Sequence, residues 1–163
     1  MNLLLVVACA LVDQDNRILI AQRPPGKNLA GLWEFPGGKL DAGERPEEAL
    51  IRELAEELSI EVKAPCLAPL TFASHAYDDF HLLMPLYICR RWTGFVQPRE
   101  GQAIKWVRPR DLRNWPMPPA DEPLRLAVAF PGFVRCKIAD GRFATISPWF
   151  IHQLFIYKRQ KVA

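Results

Sequence analysis

The sequence predicts a domain of the α/β class, and three observations lead to that prediction. The chain has 163 residues, of which 50% are hydrophobic, enough for one globular domain with a buried core. Apolar runs of strand length, separated by polar or proline-containing turns, lie on both sides of one strongly patterned helix. That helix belongs to the stretch 37–60, GGKLDAGERPEEALIRELAEELSI, which also holds most of the candidate chemistry.

Two strands are predicted before this helix. Residues 3–11 and 17–23 are apolar runs joined by the polar turn 13–16. Arg23 closes the second run, a position that suits a plain surface arginine as well as a ligand-binding one. The chain then reaches Trp-Glu-Phe-Pro-Gly-Gly at 33–38, where two adjacent glycines allow the backbone to approach a metal or a phosphate closely.

The helix itself is predicted to begin at Pro46, because the fixed φ of proline suits the first helical turn. Glu47 and Glu48 then place negative charge at the positive end of the helix dipole. The side expected to face the core carries four aliphatic residues, Leu50, Ile51, Leu54 and Leu58.

A second face of this helix is acidic. This face carries Glu53 and, three and four positions later, Glu56 and Glu57. Residues at that spacing share one side of a helix. Arg52 lies four residues before Glu56. Three converging carboxylates repel one another, and a hard divalent cation such as Mg²⁺ relieves that repulsion. Taken alone, the pattern favours a solvated acidic face over a metal site.

Further strands are predicted after the helix. Residues 61–77 form one or two short strands interrupted by Pro65 and Pro69. Residues 80–92 form a long apolar strand, in which Pro85 predicts an edge position or a bulge.

The last predicted strand is 102–107, with Trp106 in the core, and a short turn or helix follows at 108–115. The proline-rich turn 116–124 then leads into a final helix, for which Asp121 is a good N-cap.

Composition excludes several classes of protein. No segment approaches the ~20 apolar residues of a membrane span, so no membrane partner is expected. The four cysteines form no Cys-x-x-Cys pair, which argues against zinc and favours reduced thiols in the cytoplasm. The net charge is +3, but residues 131–163 carry six Lys or Arg and one Asp, which leaves −2 for residues 1–130. Direct nucleic-acid binding is therefore not expected.

The spacing across 38–60 resembles the signature of the Nudix hydrolase family. Its fixed positions are occupied here by Gly38, Glu44, Arg52, Glu53, Leu54, Glu56, Glu57 and Ile60. Ser59 stands where the family has glycine, and we expect it to end the helix in the left-handed conformation at a cost of about 1–2 kcal/mol. The Trp-Glu-Phe-Pro-Gly-Gly segment resembles the MutT-like branch, the 8-oxo-dGTP diphosphatase type.

This resemblance implies a fold and a domain arrangement. The fold is the Nudix fold, an α/β/α sandwich with a mixed β-sheet, formed by residues 1–130. Residues 131–163 have no counterpart in the resemblance and form a C-terminal extension of unknown structure. Ser147-Pro148 in it is typical of a helix start. We expect the extension to pack on the domain or to lie at an interface, in a monomer or a weak homodimer.

The resemblance also implies a function. The expected enzyme is a Mg²⁺-dependent nucleoside triphosphate pyrophosphohydrolase, with Mn²⁺ as a possible substitute. It would convert 8-oxo-dGTP into 8-oxo-dGMP and pyrophosphate and so cleanse the nucleotide pool. Implied metal ligands are the Gly37 carbonyl, Glu53, Glu56, Glu57 and Glu100. Glu53 and Glu100 both remain candidates for the catalytic base, and Gly38, Glu44 and Arg52 are expected to brace the loop and helix behind the ligands.

Substrate contacts are implied for Arg23, Asn28, Glu34, Phe35, Pro36, Gly37, Tyr77 and Asp121. Arg23 would bind phosphates, and Tyr77 could stack on the base or simply belong to the core. Asp121 would read the edge of the base, yet an ionised aspartate only accepts hydrogen bonds. A modified cytidine triphosphate is therefore the alternative substrate. A non-catalytic nucleotide-binding module is a further alternative, disfavoured because all four glutamates of the signature are present.

Overall fold

The computed structural model describes residues 2–129, 134–137 and 143–146. Its strands, in chain order, are β1 Asn2–Leu11, β2 Ile18–Gln22, β3 Trp33–Glu34, β4 Gly37–Lys39, β5 Leu67–Ala76, β6 Phe80–Cys89, β7 Ile104–Val107, β8 Val134–Lys137 and β9 Phe143–Ile146. Its α-helices are α1 Pro46–Leu58 and α2 Glu122–Ala129, and short 3₁₀ helices span Ala64–Cys66 and Pro109–Asn114.

The strands form two principal sheets. The first has the order β4-β1-β6-β5, in which β1 and β6 run parallel and the other pairs run antiparallel. The second has the order β3-β2-β7 and is antiparallel throughout. The predicted mixed β-structure is thereby confirmed. A separate antiparallel pair, β8 with β9, lies in the C-terminal extension.

Helices cover both sides of the first sheet because β1 alternates between two apolar faces. Val7, Cys9 and Leu11 point to one side and pack with Leu50, Leu54 and Leu58 of α1. Ala8 and Ala10 point to the other side, where the core includes β2 and Leu124 and Val128 of α2. The predicted α/β/α sandwich is confirmed. Helix α1 packs on the sheet through its apolar side, so its acidic side is turned away from the core.

Several local predictions are also confirmed. Strands β1 and β2 and the turn between them lie where the sequence predicts them, and α1 begins at Pro46. The helix ends at Ser59, which has φ 58° and ψ 34° and is therefore left-handed. Its backbone N–H donates to the Ala55 carbonyl at 3.1 Å. The 3₁₀ helix Pro109–Asn114 matches the predicted short turn or helix.

The predictions made from two prolines are wrong in part. Pro69 does not interrupt a strand but lies within the ten-residue strand β5, which is tolerated because β5 is the edge of its sheet. Pro85 lies in β6, between β1 and β5, so it is not on an edge. Pro85 pairs regularly with Phe72, and the register shift of this strand pair lies in β5, between Pro69 and Thr71.

Trp106, predicted in the core, is only partly buried and stacks on Trp92 with ring centroids 6.0 Å apart. Neither α-helix of the described residues is long and apolar enough to cross a membrane. The helix start predicted at Ser147-Pro148 lies outside the described residues.

Candidate active site

Arg52 organises the carboxylates of α1. Its Nε and Nη2 atoms donate to the two carboxylate oxygens of Glu44, at 3.0 and 2.9 Å. Its Nη1 donates to Glu53 at 2.9 Å and, at 3.4 Å, to Glu56, while Nη2 also reaches the Lys39 carbonyl at 3.1 Å. These hydrogen bonds raise the pKa of Arg52, first through Glu44 and then through Glu53. One planar guanidinium therefore links the loop before the helix, strand β4 and the acidic face.

Two adjacent glycines let strand β4 lie directly against that acidic face. A Cβ atom on Gly38 would come within 2.2 Å of the Glu53 carboxyl carbon, and one on Gly37 would come within 2.1 Å of the Val7 carbonyl oxygen. Gly37 also has φ 150°, which side chains rarely adopt. Its N–H donates to the Glu57 carboxylate at 3.3 Å. A side chain at Gly38 would displace the Glu53 carboxylate, and one at Gly37 would clash with the backbone of β1.

Glu100 reaches the same place because its loop is attached to the end of α1. The N–H groups of Gln97 and Arg99 donate to the Leu58 and Glu57 carbonyls, at 2.9 and 3.0 Å. The buried Gln102 side chain donates to the Glu57 carbonyl at 3.2 Å and accepts from the Glu100 N–H at 2.8 Å. The loop thus satisfies helix-end carbonyls that would otherwise lack partners. We call Gly37, Gly38, Glu53, Glu57 and Glu100 the helix end of the site.

The charge at the helix end is predominantly negative. Burial, together with the negative charges of Glu53, Glu100 and Glu34, raises the pKa of Glu57 to about 8, although a hydrogen bond from the Gly37 N–H opposes that rise. The donors are all oxygen atoms, which hard divalent cations prefer, and the surplus negative charge needs a cation. The residues present therefore fit a divalent metal.

The carboxylates are near one another but do not form a closed cage. Within the part of the chain that the structure describes, no three acidic, histidine or cysteine side chains form a ready-made metal cluster. Two of the candidate ligands are instead held by cations of the protein: Glu53 by Arg52 and Glu100 by Lys27, whose Nζ lies 2.5 Å from Glu100 Oε2. Glu56, the most exposed of the set, projects into solvent with 62% of its side chain accessible.

At the opposite end of the site, Arg23 and Glu34 form an ion pair. Arg23 immediately follows β2, and its Nε donates to the Asn28 carbonyl at 2.7 Å. Asn28 takes part through its backbone, since its described hydrogen bond is made by the carbonyl. Burial raises the pKa of Glu34, while the charge of Arg23 opposes that rise.

Asp121 lies beside this ion pair at the start of α2. It is 5% exposed, and its carbonyl accepts from the Arg125 N–H at 2.9 Å, in the first turn of the helix. Burial, together with the charge of Glu34, raises the pKa of its carboxyl to about 7, although a hydrogen bond from the Phe35 backbone N–H opposes that rise. We call Arg23, Glu34, Tyr77 and Asp121 the Asp121 end of the site.

Three other predicted contact residues contribute mainly by packing. Phe35 and Pro36 are buried, and the Pro36 carbonyl accepts from the Cys9 N–H at 2.9 Å. Tyr77 packs against the core and stacks on Phe80 with ring centroids 4.8 Å apart. Burial raises the pKa of Tyr77 and the charge of Asp121 raises it further, so the phenol lies close to that carboxyl.

Sequence reasoning missed two residues of the site. Lys27 reaches Glu100 across 73 positions, and Gln102 joins the Glu100 loop to α1. Lys27 gave no signal because a lysine between glycine and asparagine is ordinary in a loop. The sequence signal for Gln102 was weak, since it is simply a polar residue at the start of a predicted strand. Its burial is visible only in the structure.

Comparisons with known proteins agree with one another. A family model described as NUDIX domain matches residues 7–127. A CTP pyrophosphohydrolase of Escherichia coli (strain K12) is 39% identical over 120 residues, 72% of this chain and 86% of that protein. An 8-oxo-dGTP diphosphatase of Proteus vulgaris is 38% identical over 96 residues, 59% of this chain and 84% of that protein. A solved MutT structure, described for Aliivibrio salmonicida and Vibrio cholerae, has a TM-score of 0.69 at 34% identity, covering 80% of this chain and 99% of that one.

Proposed function

The chain belongs to the Nudix family and is a Nudix hydrolase, and from that premise we propose that it converts 8-oxo-dGTP into 8-oxo-dGMP and pyrophosphate. The observation that carries the proposal is the pairing of two unlike ends in one site. The helix end concentrates carboxylates suited to a metal and a triphosphate, whereas the Asp121 end holds a buried carboxyl suited to the edge of a base. Removing oxidised triphosphates in this way prevents their incorporation into DNA.

Members of this family generally need a divalent metal, and we propose that Mg²⁺, or Mn²⁺ in its place, serves here. The Gly37 carbonyl and the carboxylates of Glu53, Glu56, Glu57 and Glu100 would hold it, and Glu100 would leave Lys27 to do so. When bound, the cation neutralises phosphate charge and makes a water molecule more acidic.

The protein's own groups then position and deprotonate the attacking water. Either Glu53 or Glu100 accepts its proton as the oxygen attacks the β-phosphorus. The bond from that phosphorus to the oxygen bridging the α-phosphate breaks, and the monophosphate leaves. Arg52 keeps Glu53 and Glu44 in fixed orientations through its three donor atoms. Arg23, at the other end, supplies a planar donor fork for the phosphates.

The raised pKa of Asp121 supports guanine as the base. Near neutral pH a carboxyl with a pKa of about 7 is partly protonated, so it can donate to a carbonyl as well as accept from an amine. That is the pattern needed beside the O6 carbonyl and the N1–H of a guanine. An ionised aspartate alone would meet the O6 carbonyl with repulsion.

A modified cytidine triphosphate is the second candidate substrate. The 39% identity to the CTP pyrophosphohydrolase of Escherichia coli favours it, and the ionised form of Asp121 would accept from a cytosine amine. We further propose that residues 1–130 carry the activity, in the cytoplasm, as a monomer or a weak homodimer.

A substrate screen tests the proposal. Purified protein is incubated with 8-oxo-dGTP, dGTP, CTP and 5-methyl-dCTP, and pyrophosphate release is measured with Mg²⁺, with Mn²⁺ and with excess chelator. We expect the highest kcat/KM for 8-oxo-dGTP and no turnover in chelator. A higher kcat/KM for either cytidine triphosphate would select the second candidate, and full turnover in chelator would contradict metal dependence.

A further inference from the structure

Lys27 is a cation placed at the middle of the site, with no role in the function proposed above. Its Nζ lies 2.5 Å from Glu100 Oε2, and the pair joins the loop after β2 to the loop attached to α1. The two loops are 73 positions apart in sequence, so the pair is a tertiary contact across the site.

The surroundings of Lys27 place it between the two ends. Its hydrogen bond to Glu100 raises its pKa, and the charges of Glu57 and Glu34 add to that effect. Glu57 belongs to the helix end and Glu34 to the Asp121 end, so the ammonium group lies close enough to both ends for their charges to act on it.

The loop that carries Lys27 is held at its base and open at its tip. The Arg23 carbonyl accepts from the Gly31 N–H at 3.0 Å, and the Arg23 N–H donates to the Leu32 carbonyl at 2.9 Å. At the tip, Gly26 has φ 88° and no atom within 4 Å of an added Cβ, so nothing packs on the backbone there. The loop thus keeps Lys27 near the site, and its described side-chain partner there is Glu100.

The ion pair is also exposed enough to exchange. About half of the Lys27 side chain (50%) and 43% of the Glu100 side chain are accessible, and ion pairs in such surroundings contribute little to stability. A divalent cation at Glu100 and a phosphate at Lys27 would each replace a weak contact by a stronger one.

We propose that Lys27 is a substrate-positioning residue that holds Glu100 in the free protein and binds the triphosphate once Glu100 is engaged by a divalent cation. This inference rests on the proposed function. In the free protein Lys27 therefore competes with the metal for Glu100, and in the complex it contributes to nucleotide affinity. The same exchange would make metal and nucleotide binding depend on each other.

Binding of Mn²⁺ alone tests the first half. Free Mn²⁺ is measured by electron paramagnetic resonance during titration of the protein without nucleotide. We expect Lys27→Ala to lower the Kd for Mn²⁺ about three- to tenfold, because a competing cation is removed. The control is Lys63→Ala, an exposed lysine before the 3₁₀ helix Ala64–Cys66, which makes the same change in net charge away from the site.

A double-mutant cycle separates competition at Glu100 from a general charge effect. In a Glu100→Gln background, Lys27→Ala should leave the Kd for Mn²⁺ unchanged within twofold. An equal decrease in both backgrounds, or a decrease as large in Lys63→Ala, would overturn the proposed competition. So would an unchanged Kd in Lys27→Ala with a native circular dichroism spectrum.

Nucleotide binding tests the second half. With saturating Mn²⁺, the α,β-methylene analogue of dGTP should bind Lys27→Ala about tenfold more weakly than wild type, and Lys27→Arg should recover most of the affinity. Equal affinity in Lys27→Ala and wild type would overturn the positioning role. Neither measurement requires turnover, so the two proposals can fail independently. A wild-type protein that releases no pyrophosphate would refute the proposed function, whereas the Mn²⁺ titrations would still decide whether Lys27 competes with the metal for Glu100.

Discussion

The two ends of the site are built in different ways. The helix end comes largely from one stretch, 37–60, in which Arg52 holds Glu44 and Glu53 and the glycine pair admits the carboxylates. The Asp121 end combines residues from the end of β2, from β3, from the β5–β6 turn and from the start of α2. If the proposed function holds, the chemistry of hydrolysis is encoded locally, whereas recognition of the base depends on how distant elements pack.

Substitutions at the two ends should therefore have different effects on catalysis. A change at the helix end should lower turnover for every substrate by a similar factor, because all of them react there. A change at Tyr77 or Asp121, the residues of the Asp121 end proposed to face the base, should alter the ranking of substrates and leave the turnover of the best one nearly intact. The four predictions that follow run from the largest expected effect to the smallest.

The largest effect is expected from Glu53→Gln and Glu57→Gln. Each change removes a negative charge with little change in volume, so kcat should fall by about 10²–10⁴ for all substrates. Steady-state kinetics on 8-oxo-dGTP and CTP measure this, with the exposed Glu61→Gln as the matched control. Near-normal turnover in both variants, with the fold verified by circular dichroism, would reduce the helix end to a solvated acidic surface.

The next effect is a loss of stability with rising pH in metal-free protein. Glu57 has a pKa of about 8 and Asp121 a pKa of about 7, against 4.5 and 3.8 for the free groups. The folded state therefore binds more protons than the unfolded chain across this range, and stability is highest below pH 4 for these two groups. It should fall by about 2–4 kcal/mol for each group as pH rises to 8.

Thermal unfolding between pH 4 and pH 9 measures this loss. Glu57→Gln should remove the portion that extends to pH 8, and Asp121→Asn the portion that ends near pH 7. Mg²⁺ should restore stability at pH 8 in the wild type but not in Glu57→Gln, which distinguishes the helix end from the Asp121 end. A flat profile in the metal-free wild type would contradict the burial of both carboxyls.

A smaller effect, on selectivity, is expected at Asp121. Asp121→Ala should cost about 1–3 kcal/mol of discrimination between 8-oxo-dGTP and cytidine triphosphates, because buried donors on the base lose their partner. Asp121→Asn should keep or improve hydrolysis of 8-oxo-dGTP, since an amide both donates and accepts. Deprotonation of Asp121 should lower the kcat/KM of wild type for 8-oxo-dGTP as pH rises through about 7, and Asp121→Asn should abolish that decline. If wild type prefers modified cytidine triphosphates and Asp121→Asn removes that preference, guanine is the wrong base.

The smallest effect is expected at Ser59, where the helix that carries the acidic face ends. Ser59 has φ 58°, which a glycine adopts without the penalty that a side chain incurs. Ser59→Gly should therefore raise the free energy of unfolding by about 1 kcal/mol. Urea denaturation measures the change, and kcat should stay within twofold. A neutral or negative result would mean that the backbone freedom glycine adds to the unfolded chain outweighs the relief of strain.

The fold and the helix end could be predicted because their determinants are close in sequence. Pro46 fixes the helix start, and the spacing of Glu53, Glu56 and Glu57 places them on one face without reference to the rest of the chain. The Lys27–Glu100 contact could not be predicted, since it joins loops that only the packed sheets bring together. The proline predictions failed for a related reason, because the edge or interior position of a strand depends on its neighbours in the sheet.

The pKa of Asp121 shows the same limit. Its place at the start of a helix follows from the turn 116–124, and an exposed N-cap aspartate would be ionised at neutral pH. Its burial, and with it the capacity to donate a hydrogen bond, comes from packing beside Phe35 and Glu34. The family resemblance therefore indicates which residue would read the base, whereas tertiary structure decides the protonation state of that residue.

The attachment of the Glu100 loop to the end of α1 has a consequence for local unfolding. The Gln97 and Arg99 amides donate to the last carbonyls of the helix, so fraying of its final turn and release of the loop are one event. Amide hydrogen exchange of Gln97 and Arg99 should then follow the same opening free energy as the amides of the last turn of α1. Such an opening would carry Glu100 away from the site while the core stays folded, and the enzyme would lose activity on warming before it loses its global structure.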